Sequence, residues 1–170
     1  MTASCSTTSA PQRNSDMAKV HLICGRICSG KTTLAKTLAE EHNAVILSCD
    51  EVTWALFGND LGEKHDQMTG RIRTYLLQKA VEIIRAGTGV ILDWGFWTAA
   101  YRREIREYFA AASVEVCWHY VTVSPVEWER RIGKRNAAVL SGESHDYFVD
   151  EGLRAKLERL FEEPEENEFL

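Results

Sequence analysis

Apolar residues in this chain follow two rhythms. Short, nearly unbroken runs at Val20–Cys24, Ala44–Ser48, Gly89–Leu92 and Val114–Val123 alternate with longer stretches where apolar residues recur every three or four positions. The runs have strand length, and their lack of polar alternation suits strands covered on both faces. The longer stretches predict helices. Leu34, Leu38 and Ala39 form one stripe within Leu34–His42, and a short helix spans Glu51–Phe57. Ile72, Leu76, Ala80 and Ile83 share a face of a long helix over 63–86, which stops at Gly87, a suitable left-handed cap. Tyr101, Ile105, Phe109 and Ala112 point inward from Thr98–Ala112, and Val126–Asn136 and Val149–Glu162 supply two more helices. Strands alternating with helices predict an α/β fold, a three-layer αβα domain on a parallel sheet, and right-handed crossovers fit a spatial strand order of 2-3-1-4. No convincing fifth strand follows.

Composition narrows this picture only slightly. A length of 170 residues suits one domain. Residues 1–16 are Ser/Thr-rich without apolar period and read as a flexible tail, residues 17–163 as the domain, and residues 164–170 as an acidic C-terminal tail. The formal charge of −5 argues against bulk attraction to nucleic acid. No run approaches a membrane span, and the N-terminus lacks a signal-peptide layout, so the expectation is a cytoplasmic protein without a membrane partner. Cys5, Cys24, Cys28, Cys49 and Cys117 form no paired framework. His21 with Cys24, Cys28 and Cys49 would be an ill-placed zinc set, because it straddles a glycine turn built for another ligand.

That turn is the chemical centre of the sequence. After the first strand the chain reads Gly25-Arg26-Ile27-Cys28-Ser29-Gly30-Lys31-Thr32-Thr33, then enters a helix. A strand, this glycine spacing and a helix together make the phosphate-binding loop pattern. Gly25 and Gly30 let successive backbone N–H groups curl around phosphate oxygens, with the helix dipole aimed at the same anion. Lys31 is placed for the β- and γ-phosphates and the Thr32 hydroxyl for Mg²⁺. Residues 25–33 thus predict binding of a nucleoside triphosphate with magnesium.

Two strands deliver carboxylates to the same end of the sheet, where open parallel sheets bind ligands. Asp50, just beyond the second strand, reads either as a general base accepting a hydroxyl proton or as an N-cap for the helix it precedes. Asp93 ends the third strand, a position that suits a second magnesium contact. Trp94, Phe96 and Trp97 follow; they either wall an acceptor pocket together with Trp54 or plug the core beneath a helix. Arg130, Arg131, Lys134 and Arg135 crowd the helix after the fourth strand. They read as a lid that bridges phosphate oxygens, or else as a solvated face paired to Glu127 and Glu129. Arg71, Arg73, Lys79 and Arg85 read as an ordinary polar helix face.

Taken together, the loop, Asp50, Asp93 and the run Arg131-x-x-x-Arg135-Asn136 resemble small P-loop kinases of the polynucleotide-kinase, chloramphenicol-phosphotransferase and zeta-toxin type. Uncharacterised relatives of these are usually called AAA-family ATP-binding proteins. The resemblance covers about Val20 to Asn136 and implies a P-loop kinase fold with Lys31, Asp50, Arg131 and Arg135 catalytic and Thr32 and Asp93 on Mg²⁺. It also implies that Arg102, nine residues after Asp93, belongs to the acceptor side. Two features depart from the pattern. Thr53 stands where polynucleotide-kinase-like members often carry an Arg, and the segment that normally lies near the adenine is missing. The expected activity is therefore ATP-dependent phosphorylation of a hydroxyl on a small molecule. A 5′-hydroxyl polynucleotide kinase and a non-kinase ATP-binding module are the rivals. No Asn-Lys-x-Asp motif points to guanine.

Overall fold

The computed structural model describes residues 18–58, 61–144, 146–166 and 168–169; the expected N-terminal tail, 1–16, lies outside them. Strands and helices alternate as β1 (Val20–Cys24), α1 (Lys31–His42), β2 (Val45–Ser48), α2 (Cys49–Phe57), α3 (His65–Arg85), β3 (Val90–Asp93), α4 (Ala99–Ala111), β4 (Val116–Tyr120), α5 (Pro125–Leu140) and α6 (Glu151–Leu160). Among the described residues the sheet has four parallel strands in the order β2-β3-β1-β4. This is the α/β architecture that the periodicity predicts, with the expected strand order 2-3-1-4.

Strand alternation splits the core in two. Val20, Leu22 and Cys24 on β1, with Val90 and Leu92 on β3, face a layer containing Ile72, Leu76, Ile105 and Phe109 from α3 and α4. Ile23 and Ile91 face the other way, onto Ala35 and Leu38 of α1. Full burial of β1 and β3 explains their unbroken apolar runs. For β2 the reading of a strand covered on both faces fails: it is an edge strand, with Val45 40% exposed. Its apolar run reflects packing on α1 and β3 rather than enclosure.

Local chemistry sets the ends of the elements. Ser48, Thr98, Ser124 and Asp150 cap α2, α4, α5 and α6, each accepting a hydrogen bond from a backbone N–H three residues on. Gly87 takes a positive φ of 84° just beyond α3, as the stop signal requires. Helix α5 runs four residues past Asn136, because Ala137 to Leu140 contain no breaker. Strand β4 is shorter than its apolar run. Val114 is buried in the approach to the strand, and the Val121 N–H still bonds the Cys24 carbonyl beyond it.

The acidic stretch expected as a tail carries two residues that pack onto the domain. The Phe169 ring stacks on Trp118 with 5.2 Å between centroids, and Glu168 pairs with the fully buried Arg102. Phe161 stacks on Tyr120 in the same layer. An acidic composition hides this role, because the packing rests on two aromatic rings and one carboxylate.

Candidate active site

The six residues between β1 and α1, Gly25 to Gly30, fold as a tight loop over the N-terminus of α1. Gly30 has φ 106° and Cys28 has φ 59°, so the loop turns through two left-handed positions. A Cβ on Gly25 would lie 2.5 Å from the Val121 carbonyl oxygen, so only glycine lets β1 leave the sheet here. The Lys31 ammonium folds back over the loop, donating to the carbonyls of Gly25 (3.1 Å) and Arg26 (2.8 Å). Burial holds the lysine pKa below its ordinary value, and the Asp93 carboxylate opposes that shift. The Ser29 hydroxyl is buried within the loop without a hydrogen-bond partner.

Asp93 is buried where β3 ends, with the Thr32 side chain close enough to lower its carboxyl pKa. Burial pushes the carboxyl pKa up, while the Thr32 side chain and the Lys31 charge pull it down. A hydroxyl and a carboxylate side by side are the hard oxygen donors that Mg²⁺ takes. The cradle, the lysine and this pair therefore fit a magnesium–triphosphate. Loop N–H groups and Lys31 would hold the phosphates, and Thr32 and Asp93 the metal. A bound magnesium ion would supply charge neutralisation at the phosphate oxygens.

Asp50 is exposed in the first turn of α2. The capping role weighed for it belongs to Ser48, which accepts from the Glu51 N–H at 3.3 Å. Asp50 opens instead onto a cavity of about 240 Å³, lined by Glu51 and Trp54 of α2 and by Ser144, Asp146 and Tyr147. Its charge is felt at Lys31 and Asp93 beside the loop and at Tyr147 in the cavity wall.

The basic helix divides its arginines. The Arg131 Nη1 donates to the Ser29 carbonyl at 2.6 Å, while its Nε is held by Glu127 at 2.7 Å. Trp128 donates its indole N–H to the Ile27 carbonyl at 2.7 Å, so α5 sits directly on the loop. Arg135 turns the other way, donating to the Tyr147 carbonyl at 3.1 Å and pairing with Asp146 at 3.3 Å. Arg130 is spent on Glu127.

Three acceptor-side expectations do not survive. Arg102 is fully buried, with its Nε 2.5 Å from one Glu168 carboxylate oxygen and its Nη1 on the Phe96 carbonyl at 3.0 Å. Sequence spacing placed it correctly one helix after Asp93, but α4 directs it into the core. Trp94 and Phe96 also plug the core, the Trp94 indole donating to the Tyr101 hydroxyl. Trp97 is half-buried and lines a second, narrow cleft with Arg26, Ile27, Trp128 and Phe161, away from Asp50. Trp54 alone of the proposed ring wall is in the Asp50 cavity. Ser144, Asp146 and Tyr147 escaped the sequence reading because they lie in a turn between helices; an exposed aromatic after the Gly142 turn was the available signal.

A glycine-cradled lysine loop on this sheet order defines the P-loop kinase fold. Solved structures share it. One is a putative kinase from Chloroflexus aurantiacus, with 19% identity over 86% of this chain and 79% of that one, at a TM-score of 0.67. A second is a gluconokinase from Sinorhizobium meliloti, with 17% identity over 89% and 79%, at 0.58. A third is the Pnkp1/Rnl/Hen1 RNA repair complex, with 18% identity over 89% of this chain but 46% of that one, at 0.63. The chain belongs to the AAA domain family whose model matches residues 20–164. Among curated proteins no sequence match is found.

Proposed function

We propose that the protein is an ATP- and Mg²⁺-dependent kinase that phosphorylates a hydroxyl of a small molecule seated against Asp50. The observation that carries this reading is that Asp50 opens on a cavity of acceptor size while its charge is felt at Lys31 and Asp93. A phosphate loop alone would serve a hydrolase or a switch equally well. A carboxylate shared between that loop and a separate cavity is what a phosphotransferase needs. Asp50 would take the acceptor hydroxyl's proton as its oxygen attacks the γ-phosphorus and the β–γ bridging bond breaks. Lys31 and Arg131 would stabilise charge developing on the transferred group.

The cavity also limits the acceptor. Asp50, Glu51 and Asp146 supply carboxylates, and Trp54 and Tyr147 supply rings. Such a lining suits a neutral or cationic ring-bearing alcohol and repels a polyanion. Thr53, where an arginine would meet an acceptor phosphate, is buried. Both features count against the 5′-hydroxyl polynucleotide. The test is ADP formation measured with Mg²⁺–ATP against neutral, cationic and anionic hydroxylated acceptors, 5′-hydroxyl oligonucleotides included. Stimulation by ring-bearing alcohols is expected. Turnover that no acceptor stimulates would sink the kinase reading, and preference for the oligonucleotide would move it to the rival.

A further inference from the structure

The α1 side of the sheet carries nitrogen and sulfur side chains that the proposed reaction does not use. His21 on β1 is in register with Cys117 on β4, and His119 follows two residues later, so strand alternation sets all three on one face. The ring of His42, in the last turn of α1, stacks on His21 with 4.7 Å between centroids. His21 Nδ1 and His119 Nε2 are 3.0 Å apart. The ligand atoms of His21, Cys117 and His119 all lie within 4.8 Å of one another. His21 is buried, whereas Cys117 and His119 are half-buried on the edge strand. This is not the cysteine-rich set that the sequence brings to mind. Cys24 and Cys49 belong to the opposite core layer, and the Cys24 thiol donates to the Phe96 carbonyl there.

We propose that His21, Cys117 and His119 form a site for a borderline-soft divalent metal, Zn²⁺ above all, separate from the magnesium pair at Thr32 and Asp93. A tetrahedral zinc with ligands at about 2.0–2.1 Å for nitrogen and about 2.3 Å for sulfur spaces two nitrogens roughly 3.3 Å apart and nitrogen from sulfur roughly 3.6 Å. The two imidazole nitrogens already stand within a few tenths of an ångström of that spacing. Two imidazoles and a thiolate select zinc over magnesium, which takes oxygen. Three protein ligands leave one tetrahedral position for water or for His42. Binding releases one proton from the Cys117 thiol. The imidazole that donates the His21–His119 hydrogen bond moves its proton to its other ring nitrogen, so one proton leaves per metal. The bound ion would tie the open edge strand β4 to β1, the strand that carries the phosphate loop.

The experiment titrates the chelator-treated full chain with Co²⁺, without nucleotide, and then displaces the cobalt with Zn²⁺. One equivalent of cobalt with tetrahedral d–d bands and a thiolate-to-cobalt charge-transfer band is expected, together with a rise in melting temperature on adding Zn²⁺. Cys117→Ser should abolish the charge-transfer band and Cys28→Ser should keep it. His119→Gln, at a half-buried position, should weaken cobalt binding by about tenfold or more, the loss that even an outer-shell partner can cause. If the parent protein gives no charge-transfer band, or Cys117→Ser retains it, the site does not exist. Loss of binding in His42→Ala as well would make His42 the fourth ligand, and unchanged binding would leave that position to water; either result supports the site.

Discussion

Arg131 reaches across 102 positions of sequence to donate to the carbonyl of Ser29 in the phosphate loop. The basic helix is thus docked on the phosphate loop, and its arginines are not equivalent. Arg131→Ala should lower kcat by about 10²-fold or more, with a smaller loss of ATP affinity, since a charge aimed at the transition state acts that way. Arg135→Ala should instead raise the acceptor KM, because Arg135 holds Asp146 and the Tyr147 carbonyl in the cavity wall. Steady-state kinetics on both variants separates the roles. Equal effects on kcat from the two would mean that α5 rearranges before reaction.

Lys31 rests on the carbonyls of Gly25 and Arg26 and takes no part in either apolar core layer. Lys31→Ala should therefore weaken Mg²⁺–ATP binding by about tenfold or more while leaving the melting temperature within a few degrees, as expected of a substitution that buries nothing new. Calorimetric titration decides this. An unchanged ATP affinity would remove the loop from the nucleotide site.

Ser48 and Asp50 can be told apart by opposite signatures. Asp50→Asn should cut phosphoryl transfer by about 10²–10⁴-fold and leave stability and ATP affinity nearly unchanged. Ser48→Ala should do the reverse, costing about 1 kcal/mol through the lost helix cap while retaining turnover. A destabilised Asp50→Asn with residual full activity would return Asp50 to a structural role.

These assignments show which part of the site was legible in the chain. Local signals carried furthest: the spacing from Gly25 to Thr32, the apolar runs of β1 and β3, and Asp93 at a strand end all appear in the fold where periodicity put them. What failed depended on the direction of a side chain from a helix or turn. Arg102 lies on the helix after Asp93 and Trp94 directly follows it, as read, yet both point inward, and spacing along the chain does not encode that. Tyr147 and Asp146 line the Asp50 cavity because Arg135 holds both, and because Asn136 fixes nearby Val149 through its backbone N–H (2.8 Å) and its carbonyl (2.9 Å). No short-range pattern predicts such a contact.

The same contrast separates the tryptophans. Trp54→Ala should raise the acceptor KM and leave the ATP KM unchanged, because Trp54 is 38% exposed in the Asp50 cavity. Trp94→Ala should instead cost about 3–5 kcal/mol of stability, since a 3%-exposed ring leaves a void behind. Denaturant unfolding beside steady-state kinetics reads both. A stable Trp94→Ala with an altered acceptor KM would restore the pocket reading for that ring.

The last prediction concerns Glu168, which composition alone assigns to a tail. Its carboxylate meets the Arg102 guanidinium through two hydrogen bonds, at 2.5 Å and 3.0 Å, and Arg102 itself has no exposure to solvent. Arg106 donates to the Glu168 carbonyl, and the Arg102 Nη1 also reaches the Glu162 carbonyl at 2.9 Å, so the segment is tied at more than one point. Removing the carboxylate leaves a buried cation uncompensated, which costs about 3–5 kcal/mol. Glu168→Ala should lose stability on that scale, although it alters no residue of the phosphate loop or the acceptor cavity. Glu168→Gln, which keeps the shape and one acceptor oxygen, should lose less. The pair also has a pH signature. Its hydrogen bond to Arg102 holds the Glu168 carboxyl below the ordinary value of 4.5. In the folded state the group therefore stays ionised to lower pH than in the unfolded chain. Its contribution is complete above about pH 4.5 and is lost as the pH falls through the lower folded value. Urea unfolding from pH 7 down to pH 3 should show the gap between parent and Glu168→Ala closing over that acidic window. A gap that stays constant with pH would mean that the loss comes from packing around Phe169 and not from the ion pair.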